Sequence, residues 1–518
     1  MLSNYYTAYL KRFFACTVSF PLHLAGSYCN PILARILVAA LFLSSVNLYA
    51  EPWIDTRNAW LRADIERLAR AGIINVPINT WPLMWSGVIE DMQRAASAPR
   101  APSIEGSFVR VMAAGKRATD SFESIKSLRL TVADEPSLSR HYGHDAREQT
   151  QLSLRRQGMS QHLAYNLEVT KVSDPQDGEK SRYDNSYIGF IWGNWALMLG
   201  DIERWWGPAW TSSLILSNNA RPTTSMMLQR NYSDPFTFPV LSNLGPWTAS
   251  AFVSELDDQR HINNAKLFGL TLGFKPRPNV EINLRRTAQW GGDGRPQSFD
   301  NFIKLLTGGA DNCGDISCKA DEPGNQLGAI DMSWYLPIID TTIFGQTVGE
   351  DEAGYLPSRS SRQWGLKRNF DALGITGDLF VEFDNTTTVT YSSRYNILYN
   401  HSIYQTGYRY RGRSLGATWD NDSKVTSVGF TGYLANGDGL ELRYSSGEIN
   451  IDSIGSRQSR HSMAPSGGKI NALSANWQRT YSWGQLEFGG RYANKLPADV
   501  ASEFDKFSLN ASLRVYFN

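Results

Sequence analysis

Beyond about Ile125, apolar and polar side chains alternate along the chain with a period of two, and this rhythm continues to the C-terminus. Alternation places every second side chain on the same face of an extended strand. The clearest examples lie at residues 127–132, 151–155, 267–274, 280–284, 428–434, 440–444 and 473–481. The pattern therefore predicts a strand-rich region over residues 121–518.

The connections between these predicted strands fall into two classes. Short turns with Gly, Pro, Asn or Asp lie at residues 276–278, 436–439 and 482–484, and long polar loops at 290–326, 350–371 and 445–469. Short turns at one end and long loops at the other are typical of an outer-membrane barrel. About 390 residues, at about 20 per strand with its loop, predict ~16 to 20 strands, since a membrane strand needs about 10 residues.

The C-terminal stretch SLNASLRVYFN has one apolar and one polar face, with Leu509, Ala511, Leu513, Val515 and Phe517 on the apolar side. An apolar face toward lipid and a polar face toward a lumen suit a closed barrel, because every backbone group in hydrocarbon needs a strand partner. The terminal aromatic residues resemble the signal that the barrel-assembly machinery reads. We therefore expect that machinery as a partner during insertion, and outer-membrane lipids around the barrel.

Residues 51–120 have a helical rather than a strand-like pattern. Leu61, Ile65 and Leu68 fall on one helical face, and shorter helices are predicted at residues 86–96 and 108–117. Short amphipathic helices bury little surface alone, so they should pack on one another and on the strand region. A small α-helical bundle is the expected N-terminal domain.

Residues 1–50 have the pattern of an export signal. Arg35 precedes a short apolar run over residues 36–43, and small Ala50 stands at the expected cleavage position before Glu51. The n-region before the run is overlong, which an early start codon would explain. The sequence thus predicts a protein that is exported through a cleaved signal peptide to the outer membrane of a Gram-negative bacterium.

Removal of the signal leaves two cysteines, Cys313 and Cys318, in the loop sequence NCGDISCK. In an exported protein such a close pair is typical of a local disulfide. Half of a metal site is the alternative, but no His or second Cys pair stands nearby to complete four ligands. We expect the disulfide, no metal and no cofactor, since no phosphate-binding glycine loop stands in a strand-to-helix setting.

Charge excludes one class of partner. With 51 Lys and Arg against 50 Asp and Glu the formal net charge is +1, and no recognised nucleic-acid module accompanies any basic stretch. No nucleic-acid partner is expected.

The stretch GDIERWWGPAWTSSLILSNNARP, residues 200–222, concentrates tryptophan and arginine. Trp205, Trp206 and Trp210 offer aromatic faces, and Arg204 and Arg221 offer forked donors, a combination that suits sugars. The alternative is that the same residues form an interface girdle or pack the lumen of the barrel. Both interpretations remain open from the sequence.

Two further basic stretches are candidates. In YRYRGR the residues Arg409, Arg411 and Arg413 would share the lumen face of a strand, where they either pair with luminal acids or contact an acidic glycan. A second basic-aromatic cluster lies in a predicted long loop that suits an anionic polymer or lipopolysaccharide phosphates, or is a solvated loop face; its members are Arg359, Arg362, Trp364, Lys367 and Arg368.

The RWWGP and LILSNNARP phrases, the earlier LRADIERLARAGIINVPINTWPLMW and the strand-rich tail together resemble Wzi-type capsule-assembly outer-membrane proteins. The resemblance implies an eighteen-stranded barrel, a periplasmic-side helical bundle and lectin-like attachment of capsular or other surface polysaccharide. The positions that carry it either contact polysaccharide or stabilise the barrel wall or plug; they are Gly200, Asp201, Arg204, Trp205, Trp206, Gly207, Pro208, Trp210, Ser217, Asn219, Arg221 and Pro222.

The predicted function is therefore non-enzymatic binding of capsular or exopolysaccharide at the cell surface. Asp201 and Glu203 would share a strand face, but they are expected at its aqueous end and do not favour a glycosidase. The main alternative is an oligosaccharide or small-solute porin, since about 18 strands enclose a lumen wide enough for water. A structural barrel whose loops bind another protein is a third possibility.

Overall fold

The alternating region folds into a closed antiparallel barrel of 18 strands, which confirms the predicted fold class. The computed structural model describes residues 51–119, 125–143, 146–307, 324–353, 356–389, 393–453 and 461–517. The predicted signal peptide and the predicted disulfide between Cys313 and Cys318 lie outside these residues.

The barrel strands follow one another in chain order. They are β1 Ile125–Ala133, β2 Thr150–Met159, β3 Leu163–Val172, β4 Tyr187–Trp192, β5 Trp195–Asp201, β6 Thr224–Arg230, β7 Trp247–Glu255, β8 Lys266–Arg277, β9 Val280–Trp290, β10 Gly324–Leu336, β11 Thr341–Ala353, β12 Leu356–Ala372, β13 Ile375–Val389, β14 Lys424–Tyr433, β15 Gly439–Ile449, β16 Gly468–Tyr481, β17 Gly484–Lys495 and β18 Phe507–Phe517. The last strand pairs with the first, with Leu513 opposite Leu130, and so no edge is left open.

The alternation sorts side chains between lipid and lumen. On β1, Leu128, Leu130 and Val132 are exposed, whereas Ser127, Arg129 and Thr131 are buried inside. The Arg129 guanidinium donates to the Ser512 hydroxyl at 2.7 Å across the closing seam. On this strand the outward face is apolar and Arg129 and Thr131 have hydrogen-bond partners inside, an arrangement that suits a barrel in hydrocarbon.

One predicted long loop is wrong. Residues 350–371 belong mainly to the hairpin of β11 and β12, in which Glu350 lies opposite Arg359 and Thr347 opposite Arg362. The polar composition of this stretch suggested a loop, but polar side chains are compatible with a strand that lines a lumen or continues beyond the hydrocarbon layer. Arg359, Arg362 and Trp364 are therefore strand residues.

In the part of the chain that the structure describes, three helices precede the barrel: α1 Ala59–Arg70, α2 Trp85–Arg94 and α3 Pro102–Thr119. The Asn58 side chain caps α1 by accepting the Leu61 amide at 2.9 Å. Ile65 and Leu68 of α1 pack with Val88 of α2 in a buried core. Within the described residues, no helix combines the length and apolarity needed to cross a bilayer.

The remaining short elements lie in connections. Two helices, α4 Phe299–Thr307 and α5 Ala498–Ala501, follow β9 and β17, and 3₁₀ turns lie at Leu241–Leu244 and Pro337–Ile339. Two-residue strands lie at Trp53–Ile54, Thr80–Trp81, Leu83–Met84, Ser181–Arg182, Trp205–Trp206, Ser393–Arg394, Arg409–Tyr410 and Arg413–Ser414.

The helices close the end of the barrel where the short turns lie. The Tyr433 hydroxyl donates to Asp64 of α1 at 3.1 Å, and Arg70 of α1 forms an ion pair with Asp378 on β13. Outer-membrane barrels place their short turns on the periplasmic side. This end is called the turn end below, and the opposite end, which carries the long loops, is the loop end.

A glycine in the barrel wall provides a test of this docking. A Cβ atom added at Gly439 would lie 2.6 Å from Nε1 of Trp60 on α1, so Gly439→Ala must displace the Trp60 ring from its contact with the barrel wall. We expect a loss of about 1 to 3 kcal/mol in the free energy of unfolding, measured by thermal unfolding in detergent. Gly328→Ala on β10 is the matched control, because a Cβ there meets nothing within 4 Å. Equal stability of the two variants would contradict the docking.

Candidate functional site

The tryptophan-rich segment between β5 and β6 lies inside the barrel. Trp205 and Trp206 pair as a short antiparallel ladder with Trp81 and Thr80 of the N-terminal domain. Trp205, Trp206 and Trp210 are 0 to 1% exposed. The prediction that these three rings stack on polysaccharide is therefore wrong, because none of their faces reaches solvent. Residues 202–223 are called the plug segment below.

The aromatic rings of the plug segment form a core with the N-terminal domain. The Tyr142 ring meets Trp205 edge-on, with centroids 5.6 Å apart, and Trp210 stacks on Phe380 of the barrel wall. The Arg62 guanidinium of α1 lies 4.3 Å from the Tyr142 ring centroid and 4.6 Å from that of Trp210. The buried aromatic surface and the cation–π contacts of Arg62 stabilise the packing of the N-terminal domain against the plug segment.

Side chains of the barrel wall hold the backbone of the plug segment. Glu382 on β13 accepts the amides of Trp210 at 2.7 Å and Thr211 at 2.9 Å. Gln346 on β11 accepts the Leu214 amide at 2.7 Å and donates to the Trp206 carbonyl at 2.8 Å. These bonds satisfy polar backbone groups that would otherwise be buried without partners.

Arg204 is also part of this packing. It is 6% exposed, lies 4.0 Å above the Phe252 ring, and donates to the Ile202 carbonyl and the Ser225 hydroxyl. Its guanidinium has no accessible face for a surface glycan, so this part of the predicted site is wrong. Asp201 ends β5, and Glu203 pairs inside the barrel with Arg147 at 3.2 Å.

A second segment, residues 397–423, folds over the plug segment from the loop end. The Tyr408 hydroxyl donates to the Ile215 carbonyl at 2.9 Å, and Tyr408 is 1% exposed. The predicted YRYRGR membrane strand is wrong: Arg409–Tyr410 and Arg413–Ser414 form a small hairpin, and Arg411 has a φ of 48°. Local alternation cannot distinguish a barrel strand from an inward-folded hairpin of the same period.

The three arginines of this hairpin have separate environments. Arg409 is 4% exposed and forms a two-pronged ion pair with Asp420, Nε to Oδ2 at 3.0 Å and Nη2 to Oδ1 at 2.9 Å. Arg413 donates to the Leu138 carbonyl at 2.9 Å, and burial together with nearby Arg147 lowers the pKa of Arg413 to about 10. An ion pair inside the barrel therefore accounts for Arg409, and a hydrogen bond to a backbone carbonyl accounts for Arg413.

Arg221 and Arg411 meet a group of acids at the loop end. Arg221 forms ion pairs with Asp184 and Asp177, each at 2.6 Å, and Arg411 pairs with Glu179 at 3.2 Å. About a quarter of the Arg411 side chain and about half of Glu179 are exposed. These five residues are called the mouth cluster below.

Electrostatics fix the charge state of Asp177 in the mouth cluster. Burial raises the pKa of Asp177, but the Arg221 hydrogen bond and the charges of Arg182 and Arg221 outweigh it and leave a pKa of about 2. The carboxylate therefore stays ionised at neutral pH and keeps its arginine partners in place. The cluster presents fixed donors and acceptors at the surface, which is the arrangement that hydrogen-bonds hydroxyl groups or carboxylates.

Two of the remaining candidates, Arg362 and Trp364, lie on the outer wall of β12. The Trp364 side chain is 51% exposed and stacks on Phe383 at 4.2 Å, as expected for an aromatic residue that faces the membrane interface. Arg362 is exposed on the same outward face, and Arg359 pairs through its backbone with Glu350. The structure does not bring these residues together with the mouth cluster.

A sequence model described as capsule assembly protein Wzi matches residues 120–496. The chain belongs to this family. A Klebsiella pneumoniae relative, described as an uncharacterized 55.8 kDa protein in the cps region, is 31% identical over 351 residues, which is 66% of this chain and 67% of that protein.

A solved structure of Wzi from Escherichia coli is also similar. It covers 91% of this chain and 100% of its own, with 22% identity and a TM-score of 0.78. That protein is an outer-membrane protein involved in group 1 capsule assembly and a carbohydrate-binding β-barrel. The likeness supports the barrel fold described above.

The family match includes the plug segment and the whole mouth cluster but not α1 to α3. Sequence reasoning found Arg221 and Arg411 and missed Asp177, Glu179 and Asp184. The signal available was the polar SDPQDGEK stretch, whose Pro, Gly and acids are typical of an exposed loop. Within the ranges described above, no three His, Cys, Asp or Glu side chains form a metal site.

Proposed function

We propose that this protein is a non-enzymatic outer-membrane barrel that binds capsular or exopolysaccharide at its loop end and attaches it to the cell surface. Its membership of the capsule assembly family is the observation that carries the proposal. The cps-region relative and the carbohydrate-binding Escherichia coli barrel support it. The surface that would meet the polymer is the mouth cluster.

The mouth cluster is suited to a polyhydroxylated ligand. Arg411 and Glu179 are its most exposed members, and the Tyr410 ring lies beneath the Arg411 guanidinium at 5.5 Å from the centroid. The planar Arg411 guanidinium can donate to sugar hydroxyls, and the Glu179 carboxylate beside it can accept from them, next to the Tyr410 ring. The guanidinium can also bind a glycan carboxylate through two parallel hydrogen bonds. Arg221 stabilises this surface through its ion pairs with Asp177 and Asp184.

The packing of the lumen favours attachment over the porin alternative. The plug segment packs in the lumen against separate strands of the wall, since Trp206 contacts Phe252 on β7 and Gln346 on β11. The N-terminal helices dock at the turn end, and residues 397–423 cover the plug segment from the loop end. A filled lumen gives a solute no wide aqueous path.

The finer partners and the export route belong to the same proposal. The chain would be exported through a cleaved signal peptide in a Gram-negative bacterium, inserted by the barrel-assembly machinery, and surrounded by outer-membrane lipids and lipopolysaccharide. The outward apolar side chains of strands such as β1 support a lipid environment.

Arg411→Ala tests the role of the mouth cluster. We expect affinity for capsular polysaccharide from the encoding strain to fall roughly 10- to 100-fold, since a charge-assisted hydrogen bond contributes about 1.5 to 3 kcal/mol. Biolayer interferometry on detergent-purified protein measures the change. Arg94→Ala is the control, because Arg94 is an exposed arginine on α2 at the opposite end. Equal binding by both variants would exclude the mouth cluster as the binding surface.

A further inference from the structure

A cleft on the outer rim of the loop end is lined by residues other than those of the mouth cluster. It occupies about 920 Å³ between the start of β16 and the connection from β17 to β18. Lys469, Lys495 and Lys506 line it, together with Leu496 and Phe504. Leu496 and Phe504 rest on a buried apolar cluster beneath the cleft, so its floor is supported by packed structure.

Strand register places Lys469 and Lys495 on the outside of the barrel, and Lys506 is exposed immediately before β18. Lys469 lies on the face that carries exposed Leu473, and Lys495 lies opposite Asn471 of that same face. The exposed rings of Tyr492 and Phe507 pair across β17 and β18 just inside the rim. Four residues of strand separate Lys469 from Leu473, which is about 13 Å along the strand. The cations therefore lie at the level of lipid headgroups, beyond the apolar band.

The charge in the cleft is predominantly positive. Lys469 is 66% exposed and approaches Glu448 at 3.5 Å, a solvent-exposed contact that holds it weakly. In the part of the chain that the structure describes, Lys495 and Lys506 have no ion-pair partner. Asp505 is the acid in the lining, and its charge acts on the nearby Arg491 guanidinium, which also donates to the Asp505 carbonyl. An anion can therefore enter without displacing a strong internal ion pair.

We propose that this cleft binds the phosphate groups of lipopolysaccharide at the outer rim of the barrel. Ammonium groups that line one cleft suit phosphate as point charges, and an apolar floor beside them suits the junction between headgroup and acyl chains. An outward-facing site at headgroup height favours a lipid over the polymer that the loops would bind. The inference rests on the proposed outer-membrane location and is independent of polysaccharide binding at the mouth cluster.

The test is a triple substitution, Lys469→Ala with Lys495→Ala and Lys506→Ala. Native mass spectrometry of the detergent-purified barrel titrated with bis-phosphorylated lipid A measures binding. We expect affinity to fall roughly 100-fold, since each cation near an anionic lipid surface contributes about 1 kcal/mol. Dephosphorylated lipid A should bind the wild-type and the variant equally weakly. The matching Lys→Arg triple variant should retain binding.

The control triple is Lys171→Ala with Lys180→Ala and Lys266→Ala, which removes three lysines near the loop end outside the cleft. It should bind lipid A like the wild-type protein. Equal lipid A affinity of the Lys469 triple variant and the wild-type protein would overturn the proposal. So would loss of capsular polysaccharide binding with lipid A binding intact, which would assign the cleft to the glycan. An Arg411→Ala variant that loses polysaccharide binding should still bind lipid A like the wild-type protein.

Discussion

Replacing Glu382 by alanine is expected to loosen the plug segment and open the barrel. Glu382 is fully buried and accepts the amides of Trp210 and Thr211 as well as the Thr211 hydroxyl. Alanine leaves both amides buried without an acceptor, at a cost of about 1 to 3 kcal/mol each. We expect the free energy of unfolding to fall by about 2 to 6 kcal/mol, and planar bilayers to show current that the wild-type protein lacks.

Glu448→Ala is the matched control for Glu382→Ala. Glu448 lies on the outward face of β15, and about half of its side chain is exposed. Its loss should change stability by less than about 1 kcal/mol and leave the barrel closed. Wild-type protein that already conducts, or a Glu382→Ala variant as stable and closed as Glu448→Ala, would contradict the assigned role of the plug segment.

Arg285→Met is the second substitution with a large expected effect. It should destabilise the protein and weaken the contact between the barrel and the N-terminal domain. Arg285 on β9 and Asp331 on β10 form an ion pair in which both side chains are fully buried. Arg285 also donates to the Thr80 hydroxyl at 3.0 Å and the Asn79 carbonyl at 2.9 Å. Methionine leaves the Asp331 charge buried without its cation, which costs about 3 to 5 kcal/mol.

Thermal unfolding in detergent measures the Arg285→Met loss, and limited proteolysis measures release of residues 51–119. The double variant Arg285→Met with Asp331→Leu should recover part of the stability, because it removes the stranded charge. It should not recover protease resistance of the N-terminal domain, since the bonds to Asn79 and Thr80 remain absent. A double variant no more stable than the single one would show that the ion pair is not the source of the loss.

Much of the fold follows from the sequence because membrane strands obey a simple rule. Residues such as Leu128, Leu130 and Val132 must face lipid, and the polar residues between them must find partners inside. The C-terminal stretch followed the same rule and became β18, which closes the barrel against β1. The three helices described in the N-terminal domain could also be predicted from the sequence, since their apolar residues recur at helical spacing.

The interior of the barrel could not be predicted in this way. Trp205 and Trp210 have the same chemistry whether they stack on a sugar or on Tyr142 and Phe380, and only the fold decides. The partners that bury them, Arg62 and Glu382, lie more than 140 residues away in the chain. Long-range pairing of this kind leaves no local pattern, so a stretch that resembled a binding surface proved to be a core.

The hairpin at Arg409–Tyr410 and Arg413–Ser414 illustrates a second limit. Its alternating Tyr and Arg satisfy the period of a membrane strand, yet positive φ angles at Arg411 and Gly412 turn the chain back on itself. Glycine favours such a turn, but one glycine within an alternating stretch is equally compatible with a bulge. The outcome depended on Asp420, which lies outside the stretch and pairs with Arg409.

The most direct test of the central claim is binding of capsular polysaccharide by the intact, detergent-purified barrel. The polymer is taken from the strain that encodes the chain, and biolayer interferometry measures its association. We predict saturable binding that Arg411→Ala weakens and that Arg94→Ala leaves unchanged. A folded barrel that binds no polysaccharide would contradict the proposed attachment function.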